Sequence, residues 1–329
     1  MNAHEAWTTH KVQDISIADG VTLRTYQAGE GYPVVLLHGF PELAYSWRHQ
    51  LPFLAAHGYR AIAPDQRGYG GSGRPEPIEA YDLDHLAGDV IGLLDALDQP
   101  EAVVIGHDWG APVAWHTALS YPGRIRGVGS LSVPHAQRGN RRPLESMRAL
   151  AGPDHIFYID YFQQPGVADA ELAADVRGNI LGFMWCISGD APPEERFRPI
   201  RNGARFVDSF APPDRLPPWL GEDELNVYVE AFRRTGFTGG LNWYRNVDRN
   251  WERSERLAGA RVEQPALFVT GSEDPARNPA AMERLPEVVP NLLVNEVLPG
   301  CGHWTQQESP DEVNRLLLEF LQRAGIGSR

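Results

Sequence analysis

Asp108 lies between two glycines in Gly106-His107-Asp108-Trp109-Gly110. Ala102-Val103-Val104-Ile105 precedes it, and a stretch with helical spacing runs on from Ala111 to Tyr121. Four consecutive apolar residues, three of them β-branched, read as a fully buried strand. The glycines let a strained turn pack against its own helix. A side chain at the tip then projects at the helix N-terminus, where free N–H groups favour an anion. This is the layout of a nucleophile elbow, with a carboxylate in the attacking position. Taken alone, Asp108 equally suits a helix N-cap. A carboxylate with an ordinary pKa of about 3.9 is already an anion at neutral pH. It can therefore attack an electrophilic saturated carbon without a base and form an alkyl ester.

An ester needs a second step, and the chain offers the groups for it. Glu273 and Asp274 follow an apolar run in Thr270-Gly271-Ser272-Glu273-Asp274-Pro275, and His303 sits in Gly300-Cys301-Gly302-His303-Trp304. Nucleophile, acid and histidine come in the chain order of an α/β-hydrolase triad, each after a predicted strand. His303 would activate water against the ester carbonyl. Asp274 would fix the His303 tautomer, with Glu273 as the alternative. The oxyanion needs donors, and the backbone N–H groups of Trp109 and Phe40 are the candidates. Phe40 stands in the loop His38-Gly39-Phe40-Pro41.

The surrounding elements must bring these loops to one place. Residues from about Lys11 to Gly29 alternate polar and apolar around Asp19-Gly20, as in an antiparallel hairpin. Strands are predicted at Pro33–Leu37, Tyr59–Asp65, Ile125–Val133, Gln264–Gly271 and Leu292–Leu298, and helices at Ser46–His57, His85–Leu97 and Asp311–Gln322. Two antiparallel strands followed by β-α repeats give a mostly parallel central sheet flanked by helices. From about His135 to Arg245 the strand runs disappear and aromatics accumulate, which reads as a helical insertion lying over the sheet. The expected division is a core of residues 1–134 and 247–329 and a cap of residues 135–246.

His38-Gly39-Phe40-Pro41, Gly106-His107-Asp108-Trp109-Gly110 and Gly302-His303-Trp304 resemble the epoxide hydrolases of the α/β-hydrolase fold. The likeness extends into the insertion. There, Tyr161-Phe162-Gln163-Gln164-Pro165-Gly166-Val167-Ala168 and Leu241-Asn242-Trp243-Tyr244-Arg245-Asn246 are similar to the cap of the soluble vertebrate enzymes. The resemblance implies an α/β fold with an inserted helical cap. It also implies conversion of epoxides to vicinal diols through an Asp108 ester, with no cofactor. Two cap tyrosines would donate hydrogen bonds to the epoxide oxygen: Tyr244, and Tyr158 with Tyr161 as the alternative. Phe40, Trp109, Tyr158 and Tyr244 would line the substrate pocket. Where that family often has glutamine after the first tyrosine, this chain has Ile159. A haloalkane dehalogenase would use the same aspartyl ester, but resembles a different loop, with asparagine where Phe40 stands. A non-catalytic ligand-binding member of the fold is the third reading, against which the intact Asp108, Asp274 and His303 weigh.

Composition narrows the field further. The 329 residues carry a net charge of −13, which argues against nucleic-acid or anionic-membrane partners. Gly68-Tyr69-Gly70-Gly71-Ser72-Gly73 satisfies a dinucleotide fingerprint, but Arg74-Pro75-Glu76-Pro77 follows where a helix would have to open. The eleven histidines show no metal-ligand spacing such as H-E-x-x-H, so no metal is expected. Two cysteines, Cys186 and Cys301, without paired spacing fit a reducing cytoplasm. Residues 1–5 show no signal-peptide pattern. A small epoxide and water are the expected partners, and a homodimer is left open.

Overall fold

The computed structural model describes residue 7, residues 9–17 and residues 20–327. The strands are β1 (Lys11–Ser16), β2 (Thr22–Ala28), β3 (Tyr32–Leu37), β4 (Tyr59–Pro64), β5 (Ala102–His107), β6 (Ile125–Leu131), β7 (His155–Ile156), β8 (Ile200–Arg201), β9 (Ala266–Gly271) and β10 (Leu292–Leu298). Eight of them form one sheet in the order β1-β2-β4-β3-β5-β6-β9-β10. The pairs β1·β2 and β2·β4 are antiparallel, and every other pair is parallel. β1 and β2 pair from Lys11 opposite Gln27 to Ser16 opposite Thr22. Asp19 of the expected turn lies outside the described residues.

Burial explains the order. β5 is buried at every position and lies between β3 and β6, with Val104 opposite Val35 and Val128. Continuous apolar runs suit a parallel strand covered on both faces. β1, exposed at five of its six positions, takes the edge, where its Lys11 and Asp14 discourage pairing with another chain. In a parallel sheet all carboxyl ends point one way. Hence the loops after β3, β5, β6 and β9 open at one edge.

One expected helix is divided. Ser46–His57 opens on the second half of a 3₁₀ turn, Ala44–Trp47, and then holds an α-helix at Gln50–Ala56. Pro52 falls in the first turn of that helix, where its missing N–H is not needed.

Between β6 and β9 the chain is helical apart from the short β7·β8 ribbon, with helices including Val176–Cys186, Glu222–Thr235 and Thr238–Arg245. Phe162, Phe206, Phe237 and Trp243 are fully buried there. Two polar ties fix this segment against the strand loops. Arg48, fully buried, donates to Glu224 Oε1 at 2.8 Å, Gln307 Oε1 at 2.6 Å and the Trp219 carbonyl at 3.2 Å. The Trp243 indole donates to the Arg67 carbonyl at 3.1 Å.

Candidate active site

Asp108 closes the turn between β5 and the helix Gly110–Ser120 with φ of 49°. A left-handed backbone is costly for a side-chain-bearing residue, though least so for Asp and Asn. It is tolerated because the neighbours have no Cβ. A Cβ on Gly106 would strike the Gly110 carbonyl, and one on Gly39 would strike the Asp108 carboxylate. The result is a carboxylate with two differently placed oxygens. Oδ1 accepts the Phe40 N–H at 2.7 Å. Oδ2 lies 3.6 Å from His303 Nε2.

His303 Nδ1 lies 3.0 Å from Asp274 Oδ1. Asp274 is buried among donors: Ala276 N–H at 2.8 Å to Oδ1, and the Ser132 and Thr270 hydroxyls at 2.5 and 3.3 Å to Oδ2. Burial pushes its pKa up, but the charge and hydrogen bond of His303 and the remaining donors bring it below the ordinary value. The same balance acts on His303. Burial disfavours the imidazolium, yet the charges of Asp274 and Asp108 outweigh it and hold the pKa well above 6.5. Glu273 points elsewhere. It forms an ion pair with Arg196 at 2.8 Å and receives the Ser272 hydroxyl.

Phenols face the carboxylate from the helical segment. The Tyr158 and Tyr244 ring centroids are 5.9 Å apart. Phe40 and Trp109 pack edge-on against Tyr244 at 5.4 and 5.1 Å. Burial raises the pKa of both phenols, and the negative charge of Asp108 raises it further, so both keep their protons. Tyr161 is turned away, donating to Glu171 Oε1 at 2.5 Å. Gln163 joins the two tyrosine segments, its amide donating to the Ile159 carbonyl at 2.8 Å and the Tyr244 carbonyl at 2.9 Å. No cluster of three or more metal-ligating side chains occurs among the described residues. No helix among them is long and apolar enough to cross a membrane.

Known proteins resemble this chain in sequence and in fold. Residues 32–153 match the alpha/beta hydrolase fold family model. The chain is 48% identical to Epoxide hydrolase A of Mycobacterium tuberculosis (strain ATCC 25618 / H37Rv), over 92% of this chain and 95% of that protein. The chain belongs to the epoxide hydrolases. Among solved structures, Epoxide Hydrolase A from Mycobacterium thermoresistibile superposes with a TM-score of 0.89 at 50% identity, covering 95% of this chain and 98% of that one. An epoxide hydrolase from an endophytic Streptomyces does so with 0.92 at 45% identity, covering 97% and 96%. The central sheet and its flanking helices are those of the α/β-hydrolase fold.

Two carboxylates at this epoxide hydrolase site, Glu42 and Glu308, were not singled out from the sequence, whereas His107 is read there as a residue that holds loops by hydrogen bonds. Glu42, fully buried, accepts from His107 Nδ1 at 2.7 Å, from the Gly39 N–H at 2.9 Å and from the Gln306 and Gln307 amides, each at 3.0 Å. His107 Nε2 reaches the carbonyl oxygen of His303 at 2.7 Å. Each His107 nitrogen therefore faces an oxygen, one on the Glu42 carboxylate and one on the backbone of His303. Glu308 gathers the N–H groups of Gly189, Gly302 and Trp304 at 2.8–3.0 Å. Pro41-Glu42-Leu43 and Gln307-Glu308-Ser309 look like ordinary polar loop and helix positions, and the partners that mark them out, His107, Gln306 and Gln307 for Glu42 and Gly189 for Glu308, are distant in the chain.

Proposed function

We propose that this chain hydrolyses epoxides to vicinal diols in two steps, with residues 135–246 as the cap that closes the site. Asp108 Oδ2 attacks a ring carbon, the carbon–oxygen bond opposite it breaks, and the departing oxygen takes a proton from Tyr158 or Tyr244. The product of this step is a hydroxyalkyl ester of Asp108. Without such donors the leaving group would be a free alkoxide. His303 Nε2 then removes a proton from water, and the hydroxide adds to the Asp108 carbonyl carbon. The oxyanion rests on the N–H groups of Phe40 and Trp109. Collapse expels the diol oxygen, which takes the proton held by His303, and the hydrogen left on the Asp108 carboxyl passes to the tyrosinate formed in the first step, restoring carboxylate, phenol and neutral imidazole. Asp274 holds the His303 tautomer and stabilises the imidazolium.

The observation that carries this reading is the division of labour at Asp108, with one oxygen on the Phe40 N–H and the other facing His303 Nε2. A halide would leave without needing a proton, so paired phenols opposite the carboxylate favour an epoxide. Two thiols left unpaired, Cys186 and Cys301, fit a reducing cytoplasm. The test is His303→Gln. Incubated with a styrene-type oxide, it should accumulate a substrate-sized adduct on the Asp108 peptide by mass spectrometry, with little diol released. No adduct, or halide release from 1-haloalkanes outpacing diol formation in the unaltered chain, would overturn the proposal.

A further inference from the structure

Among the described residues, three that are not glycine have positive φ: Asp98, Asp108 and Ser132. Two of these three lie within the constellation around His303. Ser132 follows β6 with φ of 75° and is fully buried. Its N–H donates to the Val269 carbonyl at 2.8 Å, on the strand that leads to Asp274. Glycine would take this backbone without strain. A serine there stores backbone strain, and its hydroxyl has two neighbours. Oγ donates to Asp274 Oδ2 at 2.5 Å and lies 3.0 Å from His303 Nδ1. With Asp274 Oδ1 also 3.0 Å from Nδ1, the ring N–H is shared between a carboxylate and a hydroxyl oxygen.

We propose that Ser132 is a positioning residue for the ester-hydrolysis step, its hydroxyl locking the Asp274 carboxylate and the His303 imidazole into one plane of hydrogen bonds. The Oγ–H bond fixes the rotation of Asp274. The Oγ lone pair accepts from Nδ1 and so holds the proton there, which leaves the Nε2 lone pair free to take a proton from water. The first step, attack by Asp108, does not require that lone pair. The hydroxyl therefore acts on the second step alone. This inference rests on the roles proposed above for Asp274 and His303.

Two substitutions separate the hydroxyl from the backbone. Ser132→Gly removes the hydroxyl and relieves the strain. Ser132→Ala removes the hydroxyl and keeps the strain. Steady-state turnover of a styrene-type oxide, single-turnover ester formation followed by quenched-flow mass spectrometry, and urea unfolding are measured for both. Both variants should form the ester within about twofold of the unaltered rate and then hydrolyse it about tenfold more slowly, a loss in keeping with one charge-assisted hydrogen bond. kcat and KM should fall together with kcat/KM preserved, because kcat/KM is set by the steps up to the committed ester. The glycine variant should be at least as stable as the unaltered chain, and the alanine variant less so. A slow hydrolysis confined to the alanine variant would assign the effect to the backbone and overturn the proposal. So would turnover equal to the unaltered chain in both variants. If the unaltered chain and His303→Gln form no ester at Asp108, the proposed mechanism itself fails. An ester there together with normal hydrolysis in Ser132→Gly removes Ser132 alone.

Discussion

The charge on Asp108 governs what His303 can do. While Asp108 is a carboxylate, His303 is held well above its ordinary pKa: burial works against the imidazolium, but Asp274 and Asp108 outweigh it. Ester formation makes Asp108 neutral and leaves Asp274 as the nearer charge. The imidazole then gives up its proton more readily, at the step that needs a base. The acid limb of the kcat profile reports the enzyme-bound state. It should therefore fall at lower pH than the His303 titration followed by NMR in the free protein. Coincident values would remove the Asp108 charge from this account. In the proposed mechanism the phenols act in the other half of the reaction. With either phenol proposed as proton donor to the departing oxygen, Tyr244→Phe should slow single-turnover ester formation by roughly tenfold and the double Phe variant by about a hundredfold or more. Ester hydrolysis in these variants should stay near the unaltered rate.

At the level of elements, the elbow depends on backbone approach more than on side chains. A Cβ on Gly110 would collide with the carbonyl groups of Leu37 and His38, whereas one on Gly123 meets nothing within 4 Å. Gly110→Ala should therefore cost about 1–3 kcal/mol or more in urea unfolding, as forced overpacking does, while Gly123→Ala should change it by less than about 0.5 kcal/mol. Equal effects would mean that the β3–elbow contact carries no strain. The same topology explains what could be read from the chain. Asp108, Asp274 and His303 each follow an apolar run, and in a parallel sheet that places them on one edge wherever they fall in sequence. Ser132 also follows a strand, but Leu131-Ser132-Val133 bears no glycine and no motif. Its significance lies in a dihedral angle and in a partner 142 residues away. The aromatics of residues 135–246 repeat the lesson. Phe162 and Phe206 are core and Tyr158 faces the carboxylate, a sorting that follows from helix packing and that local spacing does not encode.

Across the whole molecule, one buried carboxylate joins the elbow, the Phe40 loop and the segment after His303. Burial pushes Glu42 up, but the charge and hydrogen bond of His107 and the Gly39 N–H bring it down to about 2 from an ordinary 4.5. A folded-state pKa below the unfolded one means that the unfolded chain takes up the proton first as pH falls. The stabilisation from Glu42 is thus complete above its unfolded pKa and is lost as pH drops from 4.5 towards 2, at up to about 1.4 kcal/mol per pH unit for one group. Burial pushes Asp84 up too, but hydrogen bonds from His116, Arg256 and Arg253 bring it down to about 2 from an ordinary 3.8, which adds a decline between those two values. His303 has the opposite sign. Its contribution is present below its unfolded pKa and is lost as pH rises through the raised folded value. Urea-unfolding free energy should accordingly peak between these limits and fall on the acid side below pH 4.5. Glu42→Gln replaces a fully buried carboxylate that accepts four hydrogen bonds, at a cost of roughly 3 kcal/mol at neutral pH. The same variant should show a shallower acid decline, since the group that would have been protonated is gone. An acid limb as steep as that of the unaltered chain would mean that other carboxylates set it.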